Sequence, residues 1–89
     1  MQTAQLCIRN ASGLHARPAS VFSKTAAAYQ CRVTIVADGM KYNAKSVLKV
    51  LAAEINAGQT ITLEAEGSDE KEAIAALTQA VEEGLGESV

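Results

Sequence analysis

Aromatic side chains are scarce in this chain of 89 residues, which has two tyrosines, one phenylalanine and no tryptophan. Nucleotide bases would have few rings on which to stack, and no basic cluster with aromatic residues appears, so no nucleic-acid partner is expected. Valine, isoleucine, leucine and alanine must build the core instead. They suffice for one modest core, and we therefore expect a single domain over residues 1–89.

Long apolar runs are missing as well. No segment approaches the roughly 20 apolar residues that cross a bilayer, and the first ten residues lack the basic start and apolar stretch of a secretory signal. We therefore expect no membrane insertion and a cytoplasmic location. The two cysteines, Cys7 and Cys31, are too few for a four-ligand zinc site, so the sequence predicts reduced thiols and no metal.

Acidic residues are nearly absent from the first half of the chain. Residues 1–49 contain seven of the eight Lys/Arg residues and one of the ten Asp/Glu residues, a net charge of +6, whereas residues 50–89 carry −8. An evenly mixed surface is the commoner arrangement. This asymmetry therefore predicts an electropositive face that would attract a phosphate group or an acidic partner.

Apolar periodicity divides the chain into seven elements. Alternating and β-branched residues predict strands over residues 3–9, 31–37 and 59–66, and the hairpin turn signal Asp38-Gly39 predicts a short returning strand over residues 40–43. Helical spacing predicts three helices, over residues 16–29, over residues 45–54, and from a start at Asp69 to a stop at Gly84. Asp69 and Glu72 have the spacing of a capping box at the start of the last helix.

The order of these elements is β-α-β-β-α-β-α, and each strand has one polar face. Such strands are typical of an antiparallel sheet that packs on one side and meets water on the other. The sequence thus predicts an α+β fold, an open-faced β-sandwich in which three helices cover one face of a four-stranded antiparallel sheet. Many unrelated proteins share such folds, so the function must be argued from a site.

The only histidine, His15, lies in the segment GLHARPAS between the first strand and the first helix. Pro18 suits the first turn of that helix, because its missing N–H would have no partner there. His15 is then at or just before the N-cap, beside the free amides of Ala16 and Arg17 at the positive end of the helix. Such a helix start binds anions, a neutral imidazole is a nucleophile, and Arg17 can hold phosphate oxygens.

These features predict a site that accepts and holds a phosphoryl group. Ser12 would be an extra donor, and Ala16, Arg17 and Pro18 would form the rest of the phosphate cradle. A histidine that merely caps or packs against the helix is the alternative that spacing alone leaves open. Other nucleophilic or acid–base chemistry has little support, because the sequence near His15 holds no second histidine and no carboxylate pair.

The segment GLHARPA resembles the active-site motif of the HPr family, the histidine-containing phosphocarriers of the bacterial phosphoenolpyruvate:sugar phosphotransferase system. AKSVLKV, TITLEAEGSDE and GLGE extend the resemblance over essentially the whole chain. It implies that His15 takes a phosphoryl group on Nδ1 from phosphorylated Enzyme I and passes it to IIA domains of sugar permeases, while Arg17 steadies the group. It also implies a monomeric covalent relay that is not an enzyme with turnover of its own and needs no cofactor.

The resemblance further implies a docking surface for Enzyme I and IIA domains beside His15. The four apolar residues of KSVLKVLAAE cannot all face inward on two helical turns, so at least one must be exposed. We expect an apolar centre and a basic rim: Ala16, Ser20, Val47, Leu48 and Leu51 form the centre, and Arg17, Lys24, Lys45 and Lys49 form the rim.

Ser46 has two interpretations. The structural one is that it caps the second helix, which would bury Val47, Val50 and Leu51 on one side. The resemblance adds a regulatory one, because in some bacteria HPr kinase/phosphorylase phosphorylates the matching serine. Many HPr proteins have glycine where this chain has Glu54. A nitrogen-related or fructose-type branch, and a regulatory protein that binds partners according to its phosphorylation, therefore stay open beside sugar transport.

Overall fold

The computed structural model describes residues 1–87 and contains the seven predicted elements in the predicted order. Their bounds differ from the predicted ones by at most two residues. They are β1 Gln2–Cys7, α1 Ala16–Ala27, β2 Arg32–Ala37, β3 Met40–Asn43, α2 Val47–Ala52, β4 Thr60–Glu66 and α3 Glu70–Glu82. Within the described residues, none of the helices has the length and apolar character needed to span a membrane.

The four strands form one antiparallel sheet in the order β1-β4-β2-β3. Side chains alternate along β4, so Ile61, Leu63 and Ala65 are buried on one face while Thr60 and Glu66 are exposed. α3 packs on β1 and β4, and α1 packs on both α3 and α2. The predicted open-faced β-sandwich is confirmed.

The core extends beneath the loop that joins β1 to α1. Phe22 of α1 has no exposed surface, and aliphatic side chains supply the rest of the core, as the composition predicted. Ile8 and Leu14, on either side of that loop, are fully buried, and so is Ile55 after α2. Each such side chain contributes about 1.5–3 kcal/mol to folding. The path of the loop is therefore fixed from below by the core.

The predicted capping box at the start of α3 is wrong. Asp69 is the N-cap residue, but its side chain makes no capping hydrogen bond to α3. Its carboxylate instead accepts hydrogen bonds from the backbone N–H groups of Gln30 (2.8 Å) and Cys31 (2.9 Å). These amides belong to the turn between α1 and β2, so a tertiary contact has displaced the local motif.

Left-handed backbone terminates two of the helices. At the end of α3 the N–H of Leu85 donates to Ala80 O (2.9 Å) and the N–H of Gly84 donates to Val81 O (3.1 Å), a Schellman motif at the predicted stop. Glu54 occupies the matching position after α2 with φ 51°. Glycine adopts this conformation at lower cost, which is the physical reason for the glycine that the resemblance leads us to expect there.

Candidate functional site

The loop before α1 is bonded to the loop after α2. Leu14 N–H donates to Ile55 O and Gly13 N–H donates to Asn10 O, both at 2.9 Å. Gly13 has φ 70°, and a β-carbon at this position would clash with Ile55 O. Any other residue would both strain the backbone and push the two loops apart, so Gly13 fixes the course of the chain just before His15.

His15 is the N-cap residue of α1, as predicted. Its backbone is extended (φ −125°, ψ 162°), and its side chain is exposed and makes no capping hydrogen bond. The hydrogen bond from Ala19 N–H to His15 O, at 3.5 Å, is the first one in the helix. The amides of Ala16 and Arg17 precede it and have no helical acceptor. The imidazole therefore lies at the positive end of a 12-residue helix without capping it.

Ala16 has a left-handed backbone with φ 47°, which costs about 1–2 kcal/mol for a residue other than glycine. The neighbours on both sides hold it there: Leu14 is fully buried before it, and Pro18 and Ala19 are buried after it. The strained residue separates His15 from Arg17, so its conformation sets the direction of one relative to the other. Nothing in the sequence predicted it.

Arg17 is exposed in the first turn of α1, and its aliphatic stem lies beside Gly86, after the end of α3. A β-carbon built on Gly86 would lie 3.2 Å from Arg17 Cδ and 3.5 Å from Arg17 Cγ. A β-carbon at position 86 would therefore crowd the arginine stem, which must shift by a few tenths of an ångström to admit it. Ser12, the other predicted phosphate donor, is exposed on the loop before His15.

The residues predicted to form the apolar centre of a docking surface lie on α1 and α2, which pack against each other. Leu48 is 74% exposed and Val47 is 39% exposed, whereas Leu51 is half-buried and Val50 is fully buried. The structural interpretation of Ser46 is wrong in burying Val47, since Val50 is the residue of α2 that lies fully in the core, whereas the exposure of Val47 agrees with its predicted place in the apolar centre. Val47 and Leu48 are adjacent, so they form a small exposed apolar patch on α2.

The cations of the rim differ from one another. Arg17, Lys24 and Lys49 are exposed. Lys45 is half-buried, and its Nζ donates to Tyr29 O at 2.6 Å. That ammonium is bonded within the protein, so the exposed positive charge of the rim comes from the other three residues.

Ser46 caps α2, which confirms its structural interpretation. It is half-buried, and its Oγ accepts a hydrogen bond from Lys49 N–H at 3.3 Å. Ser46 thus satisfies the first turn of its own helix, whereas His15 leaves the first turn of α1 open.

Sequence reasoning missed the contact between this site and the C-terminal turn. Asn10 is fully buried and donates through Nδ2 to Gly84 O and to Glu87 Oε1. Gly84 was predicted only to end α3. The available signals were an asparagine after the first strand and two glycines around Leu85, but 74 residues separate Asn10 from Gly84 and no local pattern joins them.

Comparison with known proteins agrees with this geometry. Residues 2–83 match the family model described as the PTS HPr component phosphorylation site. The chain belongs to the HPr family. Its sequence is 45% identical over 67 residues to phosphocarrier protein HPr of Mycoplasma capricolum subsp. capricolum, a match that covers 75% of each chain.

Both HPr and an HPr-like paralogue are among the relatives. The HPr-like protein Crh of Halalkalibacterium halodurans is 40% identical over 82 residues, which cover 92% of this chain and 98% of Crh. The crystal structure of HPr-C-His from Thermoanaerobacter tengcongensis matches with a TM-score of 0.96 over the full length of both chains, at 38% identity. The resemblance seen in the sequence is therefore confirmed, and the fold is that of the HPr phosphocarriers.

Proposed function

We propose that this protein takes a phosphoryl group from phosphorylated Enzyme I on His15 and passes it to the IIA domain of a sugar permease. The observation that carries the proposal is the start of α1, where an exposed imidazole with no capping role precedes the exposed Arg17 by two residues. Membership of the HPr family supports it. The protein acts in the cytoplasm as a monomeric relay, without a cofactor and without turnover of its own.

Each transfer is a displacement at phosphorus. The lone pair of a neutral His15 Nδ1 attacks the phosphoryl group, a P–N bond forms, and the bond from phosphorus to the donor breaks with its electron pair leaving on the donor. Delivery to the IIA domain repeats the exchange with His15 as the leaving group. One bond to phosphorus replaces another at each step, so the chemistry needs no oxidant and no net hydrolysis.

The surroundings of His15 stabilise charge rather than supply further reactive groups. Arg17 provides a permanently charged, planar donor set, and the amides of Ala16 and Arg17 lie at the positive end of α1. Ser12 adds a hydroxyl on the loop side. Donors that are already in place are the main contribution a protein makes to phosphoryl transfer, because the charge is spread over the phosphate oxygens.

Enzyme I and the IIA domain would use the docking surface in turn. Leu48 and Val47 give it a small exposed apolar centre, and Arg17, Lys24 and Lys49 give it positive charge. A small apolar patch with a charged rim favours rapid association and brief residence, which a carrier needs in order to release both partners.

The test is phosphorylation of the purified protein by Enzyme I and phosphoenolpyruvate, followed by intact mass measurement. We expect one acid-labile phosphate on the wild type, none on His15→Ala, and one on the matched control Ser46→Ala. An unmodified wild type, or equal labelling of His15→Ala, would refute the proposal. Passing the label to a sugar-specific IIA domain but not to a nitrogen-type one would place the protein in the sugar branch.

A regulatory function is the second candidate, and the extensive similarity to the HPr-like protein Crh favours it. In that case a phosphate on Ser46 would alter partner binding, since Ser46 lies one residue from the exposed Val47. Incubation with HPr kinase/phosphorylase and ATP would then add an acid-stable phosphate that Ser46→Ala lacks. Stable labelling at Ser46 together with no transfer through His15 would replace the relay by this function.

A further inference from the structure

The side chain of Asn10 connects the loop before His15 to the turn that follows α3. It has no exposed surface, and its Nδ2 donates to Gly84 O at 2.7 Å and to Glu87 Oε1 at 3.0 Å. Both acceptors are oxygens, so the orientation of the amide is determined. Its backbone O accepts from Gly13 N–H at 2.9 Å. One buried residue therefore holds both the loop and the C-terminal turn.

The C-terminal turn, residues 84–87, depends on this connection. Gly84, Leu85 and Gly86 all have positive φ, at 92°, 51° and 85°. Leu85 is buried, and Glu87 N–H closes the turn on Gly84 O at 2.9 Å. Gly84 O thus accepts hydrogen bonds from both Glu87 N–H and Asn10 Nδ2. Asn10 therefore binds the same oxygen that closes the turn.

The turn in turn supports Arg17. A β-carbon on Gly86 would lie 3.2 Å from Arg17 Cδ and 3.4 Å from Val21 Cγ2, so the turn forms a floor under the arginine stem. Arg17 otherwise projects from the surface of α1, where a long side chain would be free to sample many rotamers. The contact restricts that freedom next to His15.

Retention of an asparagine at this buried position has an energetic cost. Within residues 1–87 no donor reaches its Oδ1, which is buried. An unpaired buried acceptor costs about 1–3 kcal/mol, and an apolar residue of similar shape would avoid that cost. The two hydrogen bonds from Nδ2 offset this cost.

We propose that Asn10 is a positioning residue for the phosphoryl transfer: by fastening the C-terminal turn beneath Arg17, it holds the guanidinium in place beside His15. This inference rests on the proposed function of His15 and Arg17. Asn10 itself does not contact the phosphoryl group. By ordering Arg17 beforehand, it reduces the conformational entropy that Arg17 loses on binding that group.

A double-mutant cycle tests this assignment. Asn10→Ala should slow phosphorylation of His15 by Enzyme I about threefold to tenfold, because both Nδ2 hydrogen bonds to the C-terminal turn are lost. In an Arg17→Ala background the same change should have no further effect, because the side chain that it positions is gone. Gly86→Ala, which displaces the arginine stem directly, should slow transfer in wild type and not in Arg17→Ala. Additive losses in the two backgrounds would overturn the proposal.

A second measurement does not depend on phosphoryl transfer. The heteronuclear NOE of Arg17 Nε in the unphosphorylated protein should show an ordered side chain in wild type and a mobile one in Asn10→Ala. Val33→Ala is the matched stability control, because Val33 is buried at the far end of the sheet, and it should leave this NOE unchanged. A wild type that takes no label refutes the proposed function, whereas an Arg17 NOE equal in wild type and Asn10→Ala refutes the positioning role.

Discussion

The starts of α1 and α2 differ in what the N-cap residue does. Ser46 Oγ accepts a hydrogen bond from Lys49 N–H and so caps the first turn of its own helix. His15 turns away from its helix, is followed by a left-handed Ala16, and leaves the first amides open. The capped helix, α2, is six residues long, and the helix without a side-chain cap, α1, has twelve residues. A helix start whose first amides have no cap is therefore tolerated where other contacts hold it.

Those contacts come from outside α1. The buried Leu14 bonded to Ile55, the close approach of Gly13, and the C-terminal turn beneath Arg17 all hold the loop in place. The start of α2 is stabilised locally by its cap, whereas the start of α1 is stabilised by tertiary packing. A site held in this way can expose a nucleophile and donors without using them for its own stability.

The largest effect should follow from removing the charge at the open start. Arg17→Ala should slow transfer through His15 by about 10- to 100-fold, because a charged donor to the phosphoryl group is lost, while the fold is unchanged. Arg32→Ala is the matched control, since Arg32 is an exposed arginine at the far end of the sheet. Stopped-flow or quench measurement of transfer from phosphorylated Enzyme I checks this. Transfer by Arg17→Ala at the wild-type rate would remove the role of Arg17.

The next effect separates the two N-caps by stability. Ser46→Ala should lower the free energy of unfolding by about 1 kcal/mol, because the cap to Lys49 N–H is lost. His15→Ala should change it by less than about 0.5 kcal/mol, because the imidazole is exposed and makes no capping bond. Urea unfolding of the three proteins at neutral pH measures both values. Equal losses would show that His15 contributes to helix stability in the way that Ser46 does.

The smallest effect concerns the start of α3, where the N-cap residue Asp69 binds the turn between α1 and β2. Hydrogen bonds from Gln30 N–H and then Cys31 N–H hold the pKa of Asp69 below its ordinary value of 3.8. The folded state therefore favours the ionised carboxylate. The resulting stability is complete above 3.8 and is lost as the pH falls through the lowered value in the folded protein.

Asp69→Asn should accordingly reduce stability at neutral pH and flatten the loss of stability on acidification. Glu72→Gln, an exposed acid in the first turn of the same helix, is the control and should leave the acid limb close to that of wild type. Urea unfolding in steps of pH from neutral to below 3.8 measures the slope. An unchanged slope in Asp69→Asn would contradict the assignment.

Local patterns predicted most of the fold and the position of His15 at a helix start. Alternation, β-branched residues and a hairpin turn signal placed the strands, and helical spacing with Pro18 and Gly84 placed the helix ends, because these signals depend on neighbours in the chain. One prediction failed because a distant segment competed with a local motif: Asp69 was expected to cap α3 and instead accepts hydrogen bonds from the turn after α1. Two predictions disagreed about Val47, and its exposure agrees with its predicted place on the docking surface rather than with burial under the Ser46 cap.

Sequence alone determined that His15 stands at a helix start with Arg17 two residues later, since periodicity and Pro18 place the boundary without reference to the rest of the molecule. Only the tertiary structure decided how that start is held open. The left-handed Ala16, the bond from Leu14 to Ile55, and the Asn10 connection to residues 84–87 join segments distant in the chain. Such contacts form only when a common core brings those segments together, so no local pattern encodes them.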